Sequence, residues 1–177
     1  MEQLETKRLI LRRFAEADAA NLYEYASDPR VGPAAGWPPH KSLEESLEII
    51  RTVFQAPRTY ALVEKASGKV IGSAGFVDRH KTLLPGPDDE IGYALSPDYW
   101  GRGLMPETVE ALLRYGFEEL GLQTQWCGHY DFNDKSRRVV EKCGFRYRFT
   151  DRAWVELMGE ERTELHYALT KEEWQAR

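Results

Sequence analysis

Two glycines near the middle of the chain have the spacing of a phosphate-binding turn. Gly101 and Gly103 lie between a predicted strand that ends at Leu95 and a predicted helix that begins near Pro106. A turn that enters a helix leaves several backbone N–H groups pointing outward, and the helix dipole adds positive potential there. Because a glycine has no Cβ, an anion can approach this backbone closely. The turn therefore predicts an anion site.

Two common phosphate-binding turns do not fit these residues. A P-loop requires a Gly-Lys-Ser/Thr sequence, which this chain lacks. The dinucleotide turn of a Rossmann fold requires a third glycine three residues after the second, where this chain has Pro106. A different nucleotide-binding enzyme is therefore the weaker interpretation.

The hydrophobic pattern around this turn mixes strands and helices along the whole chain. Period-two patterns predict strands over 7–13, 59–64, 69–77, 90–95, 123–130, 145–150 and 163–169. Helical spacing predicts helices over 16–27, 42–54, 106–120 and 133–142, with a last turn over 171–175. The segments 32–40 and 78–89 are expected to be loops. The order predicts one α+β domain over residues 1–177, built on a mixed sheet.

Composition excludes several classes of protein. A net charge of −5 argues against a nucleic-acid binder, which usually carries a basic excess. Cys127 and Cys143 have neither disulfide nor zinc spacing, so we expect no metal site. No segment approaches the ~20 apolar residues that span a bilayer, and the start of the chain does not resemble a signal peptide. We therefore expect a cytoplasmic protein without membrane or nucleic-acid partners.

The residues of the turn resemble a known family. The segment Tyr-Trp-Gly-Arg-Gly-Leu-Met-Pro-Glu (99–107) is similar to motif A of the GCN5-related N-acetyltransferases (GNAT). The segments 133–136 and 141–145 resemble the second half of that family's pattern. The opening 5–12, the strand 90–93 and the closing 167–170 resemble its RimJ/RimL-type branch. Trp100 and Met105 depart from the residues most usual in motif A, but backbone amides rather than these side chains would bind the ligand.

The resemblance implies a fold and a cofactor. The GNAT fold is a central mixed, largely antiparallel twisted sheet of about seven strands flanked by about four helices and splayed at the cofactor site. The cofactor would be acetyl-coenzyme A. Its pantetheine arm would pair with the backbone of Tyr93, Ala94 and Leu95. Its diphosphate would bind the amides of the segment Trp100, Gly101, Arg102, Gly103, Leu104 and Met105, where Arg102 could add charge.

The implied reaction is direct attack of a primary amine on the thioester, which requires a neutral amine and a proton for the leaving sulfur. Ser136 matches the position proposed to protonate the thiolate in RimL-like members, and Asn133 matches a residue that contacts the cofactor near the thioester. Helix capping and an ordinary first-turn residue are the alternatives. Glu90 is the candidate base, and an exposed strand-end carboxylate is the alternative.

The acceptor side is less defined. Trp37, His129 and Tyr130 are candidate walls of the acceptor pocket, although Trp37 could instead fold onto the core. The acidic run 88–90 would suit a cationic amine.

An ordinary lysine titrates near ~10.4 and an α-amine near ~7.7–8.0, so a neutral lysine costs roughly 3.5 kcal/mol more. Outside the run 88–90, the sequence offers no obvious histidine or second acidic residue to assist Glu90. It therefore favours the α-amine of a protein N-terminus, with a small amine (a polyamine, an amino acid or an antibiotic) as the alternative. A CoA-binding regulatory module without turnover remains a second class, and the resemblance also allows a homodimer.

Overall fold

The computed structural model describes residues 2–177, which form eight strands and six helices. The strands are β1 (Leu4–Glu5), β2 (Leu9–Arg12), β3 (Thr59–Glu64), β4 (Val70–Phe76), β5 (Asp88–Leu95), β6 (Thr124–Tyr130), β7 (Arg146–Val155) and β8 (Glu160–Thr170). The helices are α1 (Ala19–Ala26), α2 (Gly32–Ala35), α3 (Leu43–Arg51), α4 (Leu104–Glu118), α5 (Asp134–Lys142) and α6 (Lys171–Gln175).

The eight strands form one sheet in the order β1-β2-β3-β4-β5-β6-β8-β7. The registered pairs are antiparallel except those between β5 and β6, which are parallel. Only Asp88–Glu90 of β5 are registered with β6, although β5 continues to Leu95. The predicted α+β class with a mixed, largely antiparallel sheet is confirmed, with more strands and helices than expected.

The chain divides into two compact units, neither of which is continuous in sequence. The first contains the residues up to Gly75 together with Tyr93–Leu104, and the second contains Phe76–Gly92 together with Met105–Arg177. The chain passes from one unit to the other at the end of β4, within β5 and at the start of α4.

The first unit buries α1 and α3 in one apolar core with β3. Leu22 and Tyr25 of α1, Ile50 of α3, and Ala61 and Val63 of β3 all belong to this cluster and are almost fully buried. The helical spacing on α1 and α3 and the alternation on the strands explain why these residues share one face.

The second unit is built around α4 and the strands β6, β8 and β7. The predicted apolar stripe of α4 is confirmed, because Val109, Leu112, Leu113 and Phe117 are fully buried. Trp174 of α6 packs against Phe117 with 5.2 Å between the ring centroids. Among the residues described, no helix is long and apolar enough to cross a membrane.

Several boundaries differ from the sequence prediction, and three of the differences have a clear physical reason. Helix α4 begins at Leu104 rather than at Pro106, because proline is tolerated where the first N–H groups of a helix have no partner. The predicted loop 32–40 contains the short helix α2, which is followed by Gly36 in the left-handed conformation. The β7–β8 hairpin extends to the pair Val155 and Glu160. The predicted strands are shorter, because the exposed outer half of the hairpin lacks the apolar alternation that marks a strand.

The start of α3 is capped as the sequence predicts. Ser42 Oγ accepts a hydrogen bond from the Glu45 backbone N–H at 3.1 Å. The reciprocal half of the predicted capping box is different, because the Glu45 carboxylate accepts from the backbone N–H of Lys41 at 2.6 Å rather than from that of Ser42.

Replacing Ser42 with alanine is expected to lower the free energy of unfolding by about 1 kcal/mol, because the Glu45 N–H loses its acceptor. Denaturant unfolding measures the change. Ser27→Ala is the control, since it removes only a long 3.4 Å bond to the Glu24 carbonyl after the end of α1. An equal loss in both variants would show that the cap of α3 contributes nothing specific.

Candidate active site

The glycine turn lies in the first unit and is held by side chains that are distant in sequence. Trp100 Nε1 donates to the Leu95 carbonyl at 2.9 Å, and the Arg30 guanidinium lies 5.7 Å from the centre of the Trp100 ring. Arg8 Nη1 donates to the Arg102 carbonyl at 2.8 Å. The tryptophan that departs from the usual motif therefore anchors the turn.

The backbone of this turn requires its two glycines. Gly101 has φ of +75° and Gly103 has φ of +76°, a region that other L residues rarely adopt. A Cβ built on Gly101 would meet no described atom within 4 Å, and one on Gly103 would meet only Arg8 Nη2 at 3.6 Å. The turn therefore combines open space over a glycine backbone with a basic side chain and the start of α4. This combination fits the diphosphate of a CoA molecule.

The remaining members of the predicted cofactor set have mixed environments. The Arg102 side chain folds back, donating to the Asp98 carbonyl at 2.9 Å and lying 5.0 Å from the centre of the Tyr99 ring. Leu104 and Met105 are buried at the start of α4. Their side chains therefore serve the core, and their predicted contribution to the cofactor is through the backbone.

The strand segment predicted to pair with pantetheine also lies in the first unit. Ala94 and Leu95 are buried and Tyr93 is half-buried. The Leu95 carbonyl already accepts from Trp100, and a Cβ on Gly72 would lie 2.5 Å from the Ala94 carbonyl oxygen. Glycine at position 72 thus permits a close approach to this strand. Pairing of the segment with a ligand stays a prediction.

In the second unit, Glu90 is buried, so the alternative of an exposed strand-end carboxylate is wrong. Its Oε2 accepts a hydrogen bond from Lys81 Nζ, and its Oε1 lies 3.6 Å from Arg79 Nη1. The Lys81 ammonium also lies 5.1 Å from the centre of the Trp126 ring. Glu90 is therefore a buried carboxylate with a cation already beside it.

The two preceding acids of the run 88–90 are each hydrogen-bonded within the second unit. Asp88 Oδ2 accepts from Trp126 Nε1 at 2.9 Å and from the Lys81 backbone N–H at 2.7 Å. Asp89 Oδ1 accepts from the backbone N–H groups of Arg79 and Glu90 at 3.2 and 2.8 Å. Both carboxylates are buried and hold the loop before β5.

Glu164 is a site residue that the sequence analysis missed. It lies on β8, and its carboxyl is mostly buried. Burial raises the pKa of Glu164, and the charge of Glu90 raises it further. A second acidic group therefore accompanies Glu90, which removes the sequence argument for an α-amine. The two acids are 74 positions apart in the sequence, which explains why no local pattern could reveal the pair.

His166 and Asp151 extend this acidic group along the β7–β8 hairpin. His166 Nε2 lies 2.8 Å from Asp151 Oδ1 and 3.9 Å from Glu164 Oε2. The potential ligand atoms of these three side chains lie within 4.8 Å of one another, although the sequence predicts no metal site. The 2.8 Å hydrogen bond between His166 Nε2 and Asp151 Oδ1 accounts for the closeness of these two side chains without a metal ion.

The two candidate pocket residues on β6 lie among other aromatic side chains. His129 is buried, with Nδ1 2.8 Å from the Tyr130 carbonyl and Nε2 3.4 Å from the Tyr167 hydroxyl. The Tyr130 ring faces the Arg162 guanidinium at 4.8 Å, and burial raises the pKa of Tyr130. Each residue therefore contacts a neighbour, Tyr167 or Arg162, that the sequence analysis did not single out.

Asn133 and Ser136 lie together at the start of α5. Asn133 Oδ1 accepts from the Ser136 backbone N–H at 3.1 Å, so Asn133 caps the helix. Ser136 is buried. The predicted chemical roles of both residues stay predictions.

Trp37 lies in the first unit. Its half-buried ring packs against the apolar core there and lies 5.3 Å from the His40 ring. A Cβ on Gly32 would lie 2.4 Å from the Trp37 ring, so glycine at that position allows the close packing. These contacts correspond to the core-packing alternative of the sequence analysis, and a role as an acceptor wall stays a prediction.

The sequence pattern of the Acetyltransferase (GNAT) domain matches residues 8–146. The chain therefore belongs to the GNAT acetyltransferase family. It is 30% identical over 148 residues to the Bacillus subtilis (strain 168) protein named uncharacterized N-acetyltransferase YoaA, a match that covers 81% of this chain and 82% of that protein.

Solved structures of similar proteins share the fold. An acetyltransferase (GNAT family) from Bacillus anthracis has a TM-score of 0.83 and 25% identity, covering 97% of this chain and 99% of that one. Mycobacterium smegmatis RimJ, solved in complex with CoA-disulfide, has a TM-score of 0.77 and 21% identity, covering 97% and 88%. The structural neighbours thus include a protein of the RimJ/RimL type.

Because the pKa of Glu164 is raised in the folded state, its ionised carboxylate lowers the free energy of unfolding at pH values above the ordinary pKa of a glutamate. A carboxyl with a higher pKa in the folded state loses stability as pH rises from its ordinary value of 4.5 through the folded value. Glu164→Gln should therefore raise the Tm relative to the native chain at pH 8, and this gain should disappear near pH 4. Glu161→Gln, at an exposed position on the same strand, should show no such pH dependence. A constant Tm difference at all pH values would contradict this interpretation.

Proposed function

We propose that this acetyltransferase transfers an acetyl group from acetyl-CoA to a primary amine by direct attack. The observation that carries the donor assignment is the open glycine turn at the start of α4, with left-handed Gly101 and Gly103 and the basic Arg8 beside it. The RimJ neighbour bound to CoA-disulfide supports the same choice. Because the GNAT pattern extends across residues of both compact units, we also propose that residues 1–177 act as one domain.

The glycine turn and four side chains each have a defined task in this proposal. Acetyl-CoA supplies the acetyl group as a thioester. The amides of the glycine turn and Arg8 bind its diphosphate, and the Asn133 amide donates near the thioester. Glu90 accepts the proton of the attacking amine, and the Ser136 hydroxyl provides a proton to the leaving sulfur.

The acceptor is a primary amine, either the α-amine of a protein N-terminus or a small alkyl amine. A lysine-like amine needs more help with deprotonation than an α-amine does. The buried Glu90 and the nearby Glu164 can offer that help, so a small alkyl amine fits as well as a protein N-terminus. Turnover assays with N-terminal peptides, lysine and spermidine separate these acceptors.

The donor assignment is tested by thermal unfolding with acetyl-CoA, CoA, ATP and NAD at equal concentrations. A ligand that binds only the folded state stabilises it by roughly 2.7 kcal/mol at one hundred times its Kd. We expect acetyl-CoA and CoA to raise the Tm. A rise with ATP or NAD alone would overturn the proposal, whereas binding of CoA without turnover of any amine would indicate a regulatory module.

Gly101→Ala is the matched variant for this experiment. It should destabilise the chain by about 1–2 kcal/mol through left-handed backbone strain and weaken CoA binding at least tenfold, as measured by calorimetry. Gly68→Ala is the control, because Gly68 has a similar φ of +71° and open space but lies in the β3–β4 turn. It should lose similar stability and keep CoA affinity.

Ser136→Ala tests the proposed proton donor. We expect kcat to fall about a hundredfold, since general acid catalysis contributes typically 10²–10⁴-fold, while the Kd for CoA changes little. Steady-state kinetics with a thiol-detecting assay measures kcat. Ser67→Ala, in an exposed turn, is the control. An unchanged kcat in Ser136→Ala would leave Ser136 as an ordinary helix residue.

A further inference from the structure

The structure contains an ammonium group bound in the manner expected of a ligand. Lys81 Nζ donates to Glu90 Oε2 and faces the Trp126 ring at 5.1 Å from its centre. Only 15% of the Lys81 side chain and 7% of the Glu90 side chain are exposed. Proteins recognise an ammonium group through a carboxylate that accepts its N–H and through an aromatic face that attracts its charge. Glu90 and Trp126 provide these two contacts to Lys81.

The backbone around Lys81 is fixed independently of its ammonium. The Lys81 N–H donates to Asp88 Oδ2 at 2.7 Å, and the Arg79 N–H donates to Asp89 Oδ1 at 3.2 Å. His80 Nδ1 lies 2.6 Å from the Asp88 carbonyl. The Lys81 side chain is a flexible stem of four carbons, so its ammonium can leave Glu90 while the loop stays in place.

The charges around this ammonium favour a cation. Glu164 is a second, mostly buried carboxyl that interacts electrostatically with both Glu90 and Lys81. Arg79 Nη1 lies 3.6 Å from Glu90 Oε1, beyond the distance of a hydrogen bond, and 64% of the Arg79 side chain is exposed, so solvent screens its charge. If Lys81 moved away, two carboxyl groups and an uncovered indole would remain. That environment selects another cation in its place.

We propose that Glu90, Trp126 and Glu164 form the acceptor-ammonium subsite, and that Lys81 is an internal occupant which the acceptor must displace. This inference rests on the proposed function, because it takes Glu90 as the group that holds the acceptor amine. The ligand class is a primary ammonium on a slender alkyl stem. A quaternary ammonium could meet the indole but has no N–H to donate to Glu90.

An internal occupant lowers the apparent affinity for the acceptor. The subsite can bind an acceptor only in the fraction of molecules in which Lys81 has left it, and the apparent Kd rises by the inverse of that fraction. Removing the Lys81 ammonium should therefore lower the KM for the amine and leave the KM for acetyl-CoA unchanged. A merely structural salt bridge would not produce this split.

Binding to the full chain without CoA provides a test that does not depend on turnover. The probe is n-butylammonium chloride, and the readout is the indole N–H signal of Trp126 in an NMR titration. We expect Lys81→Gln and Lys81→Met to bind the probe at least tenfold more tightly than the native chain does. Two variants are used so that a folding defect in one does not decide the result.

The controls separate this subsite from general charge effects. Lys69→Gln removes a lysine whose Nζ pairs with Glu24 Oε1 at 2.6 Å in the first unit, and it should bind the probe as the native chain does. Adding Glu90→Gln to Lys81→Gln should abolish the gain. Tetramethylammonium chloride should not compete with the probe. Equal affinity in the native chain and both Lys81 variants would overturn the subsite.

The outcomes also distinguish this inference from the proposed function. Acetyl transfer to an amine, together with unchanged probe affinity in the Lys81 variants, would overturn the subsite and leave the proposed function intact. Tighter probe binding in those variants without any CoA-dependent Tm shift would support the ammonium subsite and overturn its assignment to an acetyl acceptor.

Discussion

Three consecutive carboxyl groups are buried at the start of β5, and the second unit is arranged around their compensation. A buried carboxylate is costly unless it is paired and hydrogen-bonded. Asp88 accepts from the Trp126 indole and a loop N–H, Asp89 Oδ1 accepts from two backbone N–H groups, and Glu90 accepts from Lys81. The loop before β5 lacks regular structure, yet its conformation follows from these bonds.

In the first unit, side-chain hydrogen bonds hold the irregular glycine turn in an open conformation. Two left-handed glycines shape the turn. Trp100 donates a hydrogen bond to the Leu95 carbonyl before the turn, and Arg8 donates one to the Arg102 carbonyl within it. None of these bonds needs the ligand to be present. The shape of the turn therefore follows from bonds within the chain, and in the proposed function a diphosphate would not bear the full cost of ordering this backbone.

Sequence reasoning identified the features that depend on local patterns. The apolar stripe of α4, the limits of β3 and the glycine turn follow from spacing within one element. It failed where burial depends on distant partners. The run 88–90 reads as polar loop and strand end, because nothing local shows that Trp126 and Lys81 will satisfy it. The proximity of Glu164 to Glu90 arises from strand order in the sheet, which the chain's local pattern does not encode.

The Lys81–Glu90 pair has an energetic consequence for any cation that enters. If one ammonium replaces another, the pocket keeps the same net charge, and Glu90 is never left desolvated and unpaired. Most of the electrostatic work of burying a charge is then cancelled by the charge that departs. Such a binding step is an ion exchange. Its free energy depends only weakly on ionic strength, because one cation leaves the protein's interior for water as another makes the reverse transfer.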